Sequence, residues 1–290
     1  MSKKVNIGMV QIAYTGNVDT MMQKTLEKVV EVADKGAQII CLQEMYRTDY
    51  FCDVEDYDNF PLAESIPGPS TEMFSKVAKE KNVVLILPLF EKRTHGLYHN
   101  SVAVIDADGT NLGTFRKMHI PDDPAFYEKF YFTPGDMGFK VFKTKYATIG
   151  TLICWDQWYP EAARITALMG AEIIFYPTAI GWATSENDMA VRQQQQEAWE
   201  GIQRSHSIAN GVFVCAVNRV GTEKDSLQFW GNSFVYGPFG RLKGKCSSDK
   251  EETLVVECDL SEIDFYRTHW PFLRDRRIDA YKPILKRYLD

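Results

Sequence analysis

The sequence predicts an α/β fold in a single domain built from two similar halves, and three observations carry that prediction. Short, almost wholly apolar, β-branched runs alternate with stretches of helical period in both halves of the 290-residue chain. Such strands need cover on both faces, which a sheet-on-sheet core with helices outside would supply. No Pro-, Gly- or Ser-rich stretch of shifted composition divides the halves, so one domain over 1–290 is expected, with 269–290 as a tail.

Taken in order, Val5–Ile12 reads as a buried strand. A helical stripe of Met21, Met22, Leu26, Val29, Val30 and Ala33 follows and is stopped by Gly36. Ala37–Glu44 is the next strand, giving a βαβ opening whose two strands should be parallel. The segment from Met45 to Ser70 reads as a long loop rich in Asp, Tyr, Phe and Pro, of the length expected for a functional rim or lid. A helix from Ser70 to Lys81 feeds the strand Val83–Phe90. Ser101–Ile105 and a strand running to Lys117 flank the turn Asp108-Gly109 as a hairpin. His119–Gly135 reads as a second long loop.

Strand patterns return at Phe139–Phe142 and Thr148–Cys154. Pro160 suits the first turn of a helix, which should end at Gly170. Glu172–Tyr176 is a strand, Asp188–Asn210 a long helix and Val212–Val217 another buried strand. Ser233–Tyr236 and Thr253–Cys258 complete the sheets, and Ser261–Tyr266 forms a short helix. From His269 the chain is basic, aromatic and Pro-punctuated, with no strand to join.

The net charge of −6 offers no overall attraction for nucleic acid or an anionic membrane. No stretch reaches the ~18–20 apolar residues that span a bilayer, and no secretory pattern opens the chain. Six cysteines at 41, 52, 154, 215, 246 and 258 form no CxxC pair, which excludes a zinc ribbon or a thioredoxin-type motif. Reduced thiols in a cytoplasmic protein are the expectation.

Three titratable residues stand at strand ends: Glu44, Lys117 and Cys154. A charge directly after an apolar strand is either solvated at the rim or kept for chemistry, because burying it without a partner is costly. Cys154 falls where a buried strand turns towards a helix, so the positive end of that helix is expected to favour thiolate. A packing role for a single buried cysteine is about as common. Together, a thiol, a carboxylate and an ammonium suit acyl transfer, with nucleophile, base and oxyanion partner. His119 could instead pair with Cys154, but the local signatures of papain-like and caspase-like enzymes are missing. His95 and His99 are four apart, yet Gly96 and Tyr98 between them argue against a helical metal pair.

These residues resemble the carbon–nitrogen hydrolase (nitrilase) superfamily from about residue 5 to 285. The likeness rests on Leu42-Gln43-Glu44, on Arg116-Lys117-Met118-His119-Ile120-Pro121-Asp122-Asp123-Pro124, and on Cys154-Trp155-Asp156-Gln157-Trp158-Tyr159-Pro160-Glu161. Each segment carries one member of that family's Glu-Lys-Cys triad, in the family's chain order. Tyr127–Gly135 adds the second glutamate, Glu128. Within the superfamily the text of Tyr127–Asp136, Tyr176–Gly181 and Arg274–Arg277 is similar to members that cleave small N-carbamoyl amines.

The resemblance implies a four-layer αββα sandwich, a homo-oligomer of two or more copies in which the tail makes contacts, and neither metal nor organic cofactor. It also implies roles: Cys154 as nucleophile, Glu44 as general base, Lys117 with the Trp155 backbone N–H at the oxyanion, and Glu128 in support. The substrate is expected to be a small N-carbamoyl amine. Tyr50, Trp155 and Trp182 could wall its methylene chain, and Asp123, Asp156 or Glu186 could hold a distal ammonium, with Asp156 the best placed of the three to be structural instead. After Gly181 the run Trp182–Asn187 departs from the family's Ser-Glu-Pro, beside the substrate's distal end. A β-ureidopropionase, an N-carbamoyl amino acid hydrolase or another amidase of the superfamily would keep the same triad. A non-enzymatic relative would be expected to lose a member of it.

Overall fold

A computed structural model describes residues 3–289; Met1, Ser2 and Asp290 lie outside the described part. The first half lays down β1 (Lys4–Gln11), α1 (Val18–Asp34), β2 (Ile39–Leu42), α2 (Pro69–Lys81), β3 (Val84–Thr94), β4 (Leu97–Ile105) and β5 (Asn111–Arg116). With β15 (Glu252–Asp259) these strands form a six-stranded sheet in the order β15-β1-β2-β3-β4-β5. The βαβ opening is parallel as expected, with Ile7 opposite Ile39 and Ile39 opposite Val84. Asn17 caps α1 by accepting the N–H groups of Asp19 and Thr20, the arrangement its side chain favours at a helix start.

After α3 (Glu128–Tyr131) the second half repeats the plan with β6 (Val141–Lys143), β7 (Thr148–Thr151), α4 (Pro160–Leu168), β8 (Ile173–Pro177), β9 (Gly181–Ala183), α5 (Met189–Asn210) and β10 (Phe213–Val217). It continues through β11 (Val220–Glu223), β12 (Leu227–Trp230), β13 (Phe234–Tyr236) and β14 (Leu242–Lys245), and α6 (Ser261–His269) follows β15. The second six-stranded sheet runs β14-β13-β10-β8-β7-β6, with β7, β8 and β10 parallel.

Alternation along each strand divides the side chains between two layers. Val5, Ile7 and Met9 of β1 and Cys41 of β2 enter the core shared with Ile173, Phe175, Phe213 and Cys215 of the facing sheet. Val10, Ile40 and Leu42 turn the other way, onto Met21, Val29 and Val32 of α1 and Phe74 of α2. Ala162, Ala163 and Ala167 of α4 and Trp199 of α5 pack on the outer side of the second sheet. The layers are therefore helix, sheet, sheet, helix. Close approach makes corresponding demands in the two halves. A Cβ on Gly8 would stand 2.3 Å from Val32 of α1, and one on Gly150 would stand 2.1 Å from Thr166 of α4.

Four sequence expectations need correction. β3 and β4 run on as a hairpin through His95-Gly96, with His99 paired opposite Glu91, where the sequence pattern ends the strand at Phe90. β9, β11 and β12 form a three-stranded sheet that went unread, because each strand has only three or four residues. The segments after Glu44 and after His119 are not bare connections: Tyr50, Phe51, Tyr131 and Phe132 pack with Phe90 of β3 into an aromatic cluster. Finally, Cys154 opens a short 3-10 helix, Cys154–Trp158, and α4 begins only at Pro160. All six cysteines are free and buried, and no described helix is long and apolar enough to cross a membrane.

Candidate active site

The strand ends gather the charges that the sequence singled out. Glu44 follows β2 by two residues, Lys117 comes directly after β5, and Glu128 is the first residue of α3. β5 runs in the same direction as β2, because two antiparallel steps separate it from β3. Lys117 Nζ donates to Glu44 Oε1 at 2.8 Å and to Glu128 Oε2 at 2.6 Å, and all three residues are wholly buried. Asn100 Nδ2 donates to the same Glu44 oxygen at 2.7 Å, and Tyr50 Oη donates to Glu128 Oε1 at 2.8 Å. Glu44 Oε2 alone among the four carboxylate oxygens has no hydrogen-bond partner. Buried acceptors are seldom left bare, and this one is the oxygen open to a proton.

Cys154 completes the set from the facing sheet. Its backbone sits at φ +38°, a left-handed conformation costly for a side chain with a Cβ and common at functional turns. Asp156 holds that turn, taking the Ile153 N–H on Oδ2 at 2.9 Å and the His119 N–H on Oδ1 at 3.0 Å. The loops of Lys117 and Cys154 are thus tied to one carboxylate. Cys154 is buried with only 5% of the residue exposed, and Glu44, Lys117 and Glu128 have no exposure at all. Cys52 lies near the same carboxylates but is fully covered.

Electrostatics follow from burial and these neighbours. Burial pushes the Cys154 thiol well above its ordinary range and Glu44 pushes it further, with only partial relief from Lys117. The expected help from a helix N-terminus is therefore corrected: α4 starts six residues on, and the resting sulfur is a thiol that needs a base. Burial alone would lower the Lys117 ammonium, but Glu128 and Glu44 outweigh it and hold the charge well above the usual lysine range. Burial pushes Glu128 up to about 7, against the pull of Lys117 and with the push of Glu44. The arrangement offers an unpartnered carboxylate oxygen as base, a cation held charged by two carboxylates, and a thiol close to both. Trp155 N–H lies in the first turn of the 3-10 helix, where N–H groups have no partner within the helix.

The other expected residues divide. Tyr50 is buried within the set through Glu128. Trp155 is half-buried directly after Cys154, edge-on to Trp158. Asp123 is exposed in a turn closed by Phe126 N–H on its own carbonyl, and none of its hydrogen bonds among the described residues reaches the set. Glu186 lies in the approach to α5, accepting Asp188 N–H at 2.8 Å on its carboxylate. Asp156 is structural, as described, and its Oδ1 also meets His119 Nδ1 at 2.7 Å, which turns that ring to Asp156 and onto Tyr159 instead of making a Cys–His pair. Trp182 packs against Trp230 with the Arg192 guanidinium over its ring.

Sequence reasoning missed Asn100, Asn218, Arg219 and Glu223. Asn218 grips Ile180 by both its N–H and its carbonyl, next to Ala179, whose carbonyl lies 3.9 Å from Cys154 Sγ. Arg219, fully buried, binds the segment that follows Glu44. The signal was available: Asn218-Arg219 follows the apolar strand β10, as Glu44, Lys117 and Cys154 follow theirs.

Comparison with known proteins places the chain in a family. The carbon–nitrogen hydrolase family model matches residues 6–268. An N-carbamoylputrescine amidase of Oryza sativa subsp. japonica is 46% identical, over 97% of this chain and 95% of that protein. A citrullinase of Francisella tularensis is 37% identical, over 98% of this chain and 99% of its own length. The crystal structure of a carbon–nitrogen hydrolase from Helicobacter pylori superposes with a TM-score of 0.95 at 47% identity, covering 99% of this chain and all of that one. With its four-layer sandwich and its buried Glu-Lys-Glu set beside a strained cysteine, this chain belongs to the carbon–nitrogen hydrolase family.

Proposed function

We propose that the chain hydrolyses N-carbamoylputrescine to putrescine, carbon dioxide and ammonia through a thioester on Cys154. The observation that carries this reading is the free Glu44 oxygen within a buried, Lys117-bridged set beside a thiol that burial keeps protonated. Glu44 takes the thiol proton and sulfur attacks the ureido carbonyl carbon. Lys117 and the Trp155 N–H stabilise the oxyanion, as preorganised donors do in a water-poor site. When the tetrahedral centre collapses, the terminal C–N bond breaks and ammonia leaves with the proton from Glu44. Glu44 then takes a proton from water, hydroxide displaces the sulfur, which regains its proton from Glu44, and the released carbamate breaks down to amine and carbon dioxide. Glu128 keeps Lys117 in place, with Tyr50 locking Glu128.

The substrate assignment is supported by the N-carbamoylputrescine amidases of rice and, at 42% identity, of Arabidopsis thaliana. The citrullinase relative favours a second reading, because citrulline shares the terminal ureido group and differs at the far end. Ammonia release from N-carbamoylputrescine, citrulline and N-carbamoyl-β-alanine separates the two. A kcat/KM for N-carbamoylputrescine at least tenfold above the others is expected, and faster turnover of citrulline would move the assignment to a ureido amino acid.

We further propose that the protein is a cytoplasmic homo-oligomer. The oligomer is supported by apolar side chains left exposed on α4 (Ile165, Leu168) and on the tail (Ile278, Ile284, Leu285). Sedimentation should give a dimer or larger species that loses mass class when 278–290 are removed; a monomer in the full chain would contradict it.

A further inference from the structure

We infer that the Arg219–Glu223 ion pair is the positioning device for the catalytic base, an inference that rests on the reading of Glu44 given above. Arg219 follows β10, is fully buried, and has its guanidinium over the ring of Phe229. Its three nitrogens all donate, in five contacts. Nε and Nη2 donate to Glu223 Oε1 at 3.0 and 2.6 Å, and Nη2 also donates to Thr48 O at 2.8 Å. Nη1 donates to Met45 O at 3.0 Å and to Glu44 O at 3.3 Å. One side chain therefore grips three carbonyls in the turn that leaves β2.

That turn needs gripping. Met45 sits at φ +47°, a left-handed conformation that a residue with a branched or long side chain adopts only when its surroundings hold it there. If the Glu44–Met45 peptide relaxed, the Glu44 carboxylate would shift relative to Lys117 and to the Cys154 thiol whose charge state it influences. The pair also fixes the far end of the same segment, because Glu223 Oε2 accepts the Tyr50 N–H at 2.7 Å. Tyr50 Oη in turn holds Glu128. A single ion pair thus sets both the base and the carboxylate that steadies Lys117, while contacting neither Cys154 nor Lys117 among the hydrogen bonds described.

Guanidinium chemistry is required for this. A lysine ammonium has three donors and no fork, so it cannot span three carbonyls and a carboxylate together. The test compares Arg219→Lys, Glu223→Gln and Glu44→Gln in the full-length protein, with melting temperature, kcat, KM and the rate of Cys154 alkylation by iodoacetamide at neutral pH. Glu223→Gln keeps the shape and an acceptor oxygen, so it remains informative if Arg219→Lys does not fold. The expected result is a 10- to 100-fold loss of kcat in both positioning variants, KM within about threefold of the parent, and slower alkylation in parallel with kcat. Folded variants with parental kcat and alkylation rate but a lower melting temperature would make the pair merely structural and overturn the inference, provided Glu44→Gln is inactive. A Glu44→Gln variant with near-parental turnover would overturn the reading of Glu44 itself, and the inference with it.

Discussion

Replacing Glu128 by glutamine separates the charge of this residue from its shape. The amide still offers an oxygen to Tyr50 or Lys117, in place of the bonds now measured at 2.8 and 2.6 Å, but it cannot titrate. In the parent, burial lifts Glu128 to about 7, with Lys117 opposing and Glu44 reinforcing the rise. The unfolded chain releases that proton near the ordinary glutamate value of about 4.3. Between these values the folded state binds the proton and the unfolded state does not, so stability falls as pH rises across the window. The contribution is fully present below about pH 4 and gone above about pH 7. A gap of this size is worth on the order of 4 kcal/mol. For a chain of this length that corresponds to roughly 5–10 °C in melting temperature. Calorimetry or thermal fluorescence at fixed ionic strength, from pH 5 to 7.5, reads the slope directly. Glu128→Gln should flatten it relative to the parent. An unchanged slope would mean that Glu128 is already ionised across the window, and the account of the buried set's charge would be wrong.

Two other substitutions test other joints of the site. Lys117→Ala should lower kcat by about 10²–10³-fold. It should also destabilise by roughly 3–5 kcal/mol, because Glu44 and Glu128 are left buried without their cation; a normal kcat would remove Lys117 from the oxyanion. Asp156→Asn should cost about 1–3 kcal/mol, since an amide cannot accept from Ile153 N–H and from His119 on both oxygens. Its effect should reach turnover as well, by loosening the left-handed backbone at Cys154, and a melting curve and kcat equal to the parent would refute this tie.

Much of this architecture was legible because buried parallel strands have a plain signature. The βαβ opening, α5 between Asp188 and Gly211, and the pairing of halves all follow from apolar runs and helix stops. The rule that a charge after such a run is kept for a reason led to Glu44, Lys117 and Cys154. The same rule applies to Arg219, whose meaning came into view only with its partners, because a guanidinium that binds backbone carbonyls leaves no mark on the residues it grips. Short strands escaped for a different reason. Three or four residues of β9 or β12 show no period, and their stability comes from the sheet they join and from close approach, as where Gly181 faces the Gln228 carbonyl with no room for a Cβ. The 3-10 turn at Cys154 escaped because one Pro at position 160 marks where α4 starts but not what fills the six residues before it. The distal pocket was the least legible part. Charge alone marks Asp123 and Glu186 in the sequence, and the bonds they make serve local turns.

The central claim is that Cys154 carries the substrate's carbon during turnover. Mixing the protein with N-carbamoylputrescine, quenching in acid during steady state and locating the added mass by peptide mass spectrometry tests it directly. The expected result is an adduct equal to substrate less ammonia on the peptide holding Cys154, and neither adduct nor ammonia from Cys154→Ala. Ammonia release by Cys154→Ala near the parental rate, or an adduct on Cys52 in its place, would contradict it.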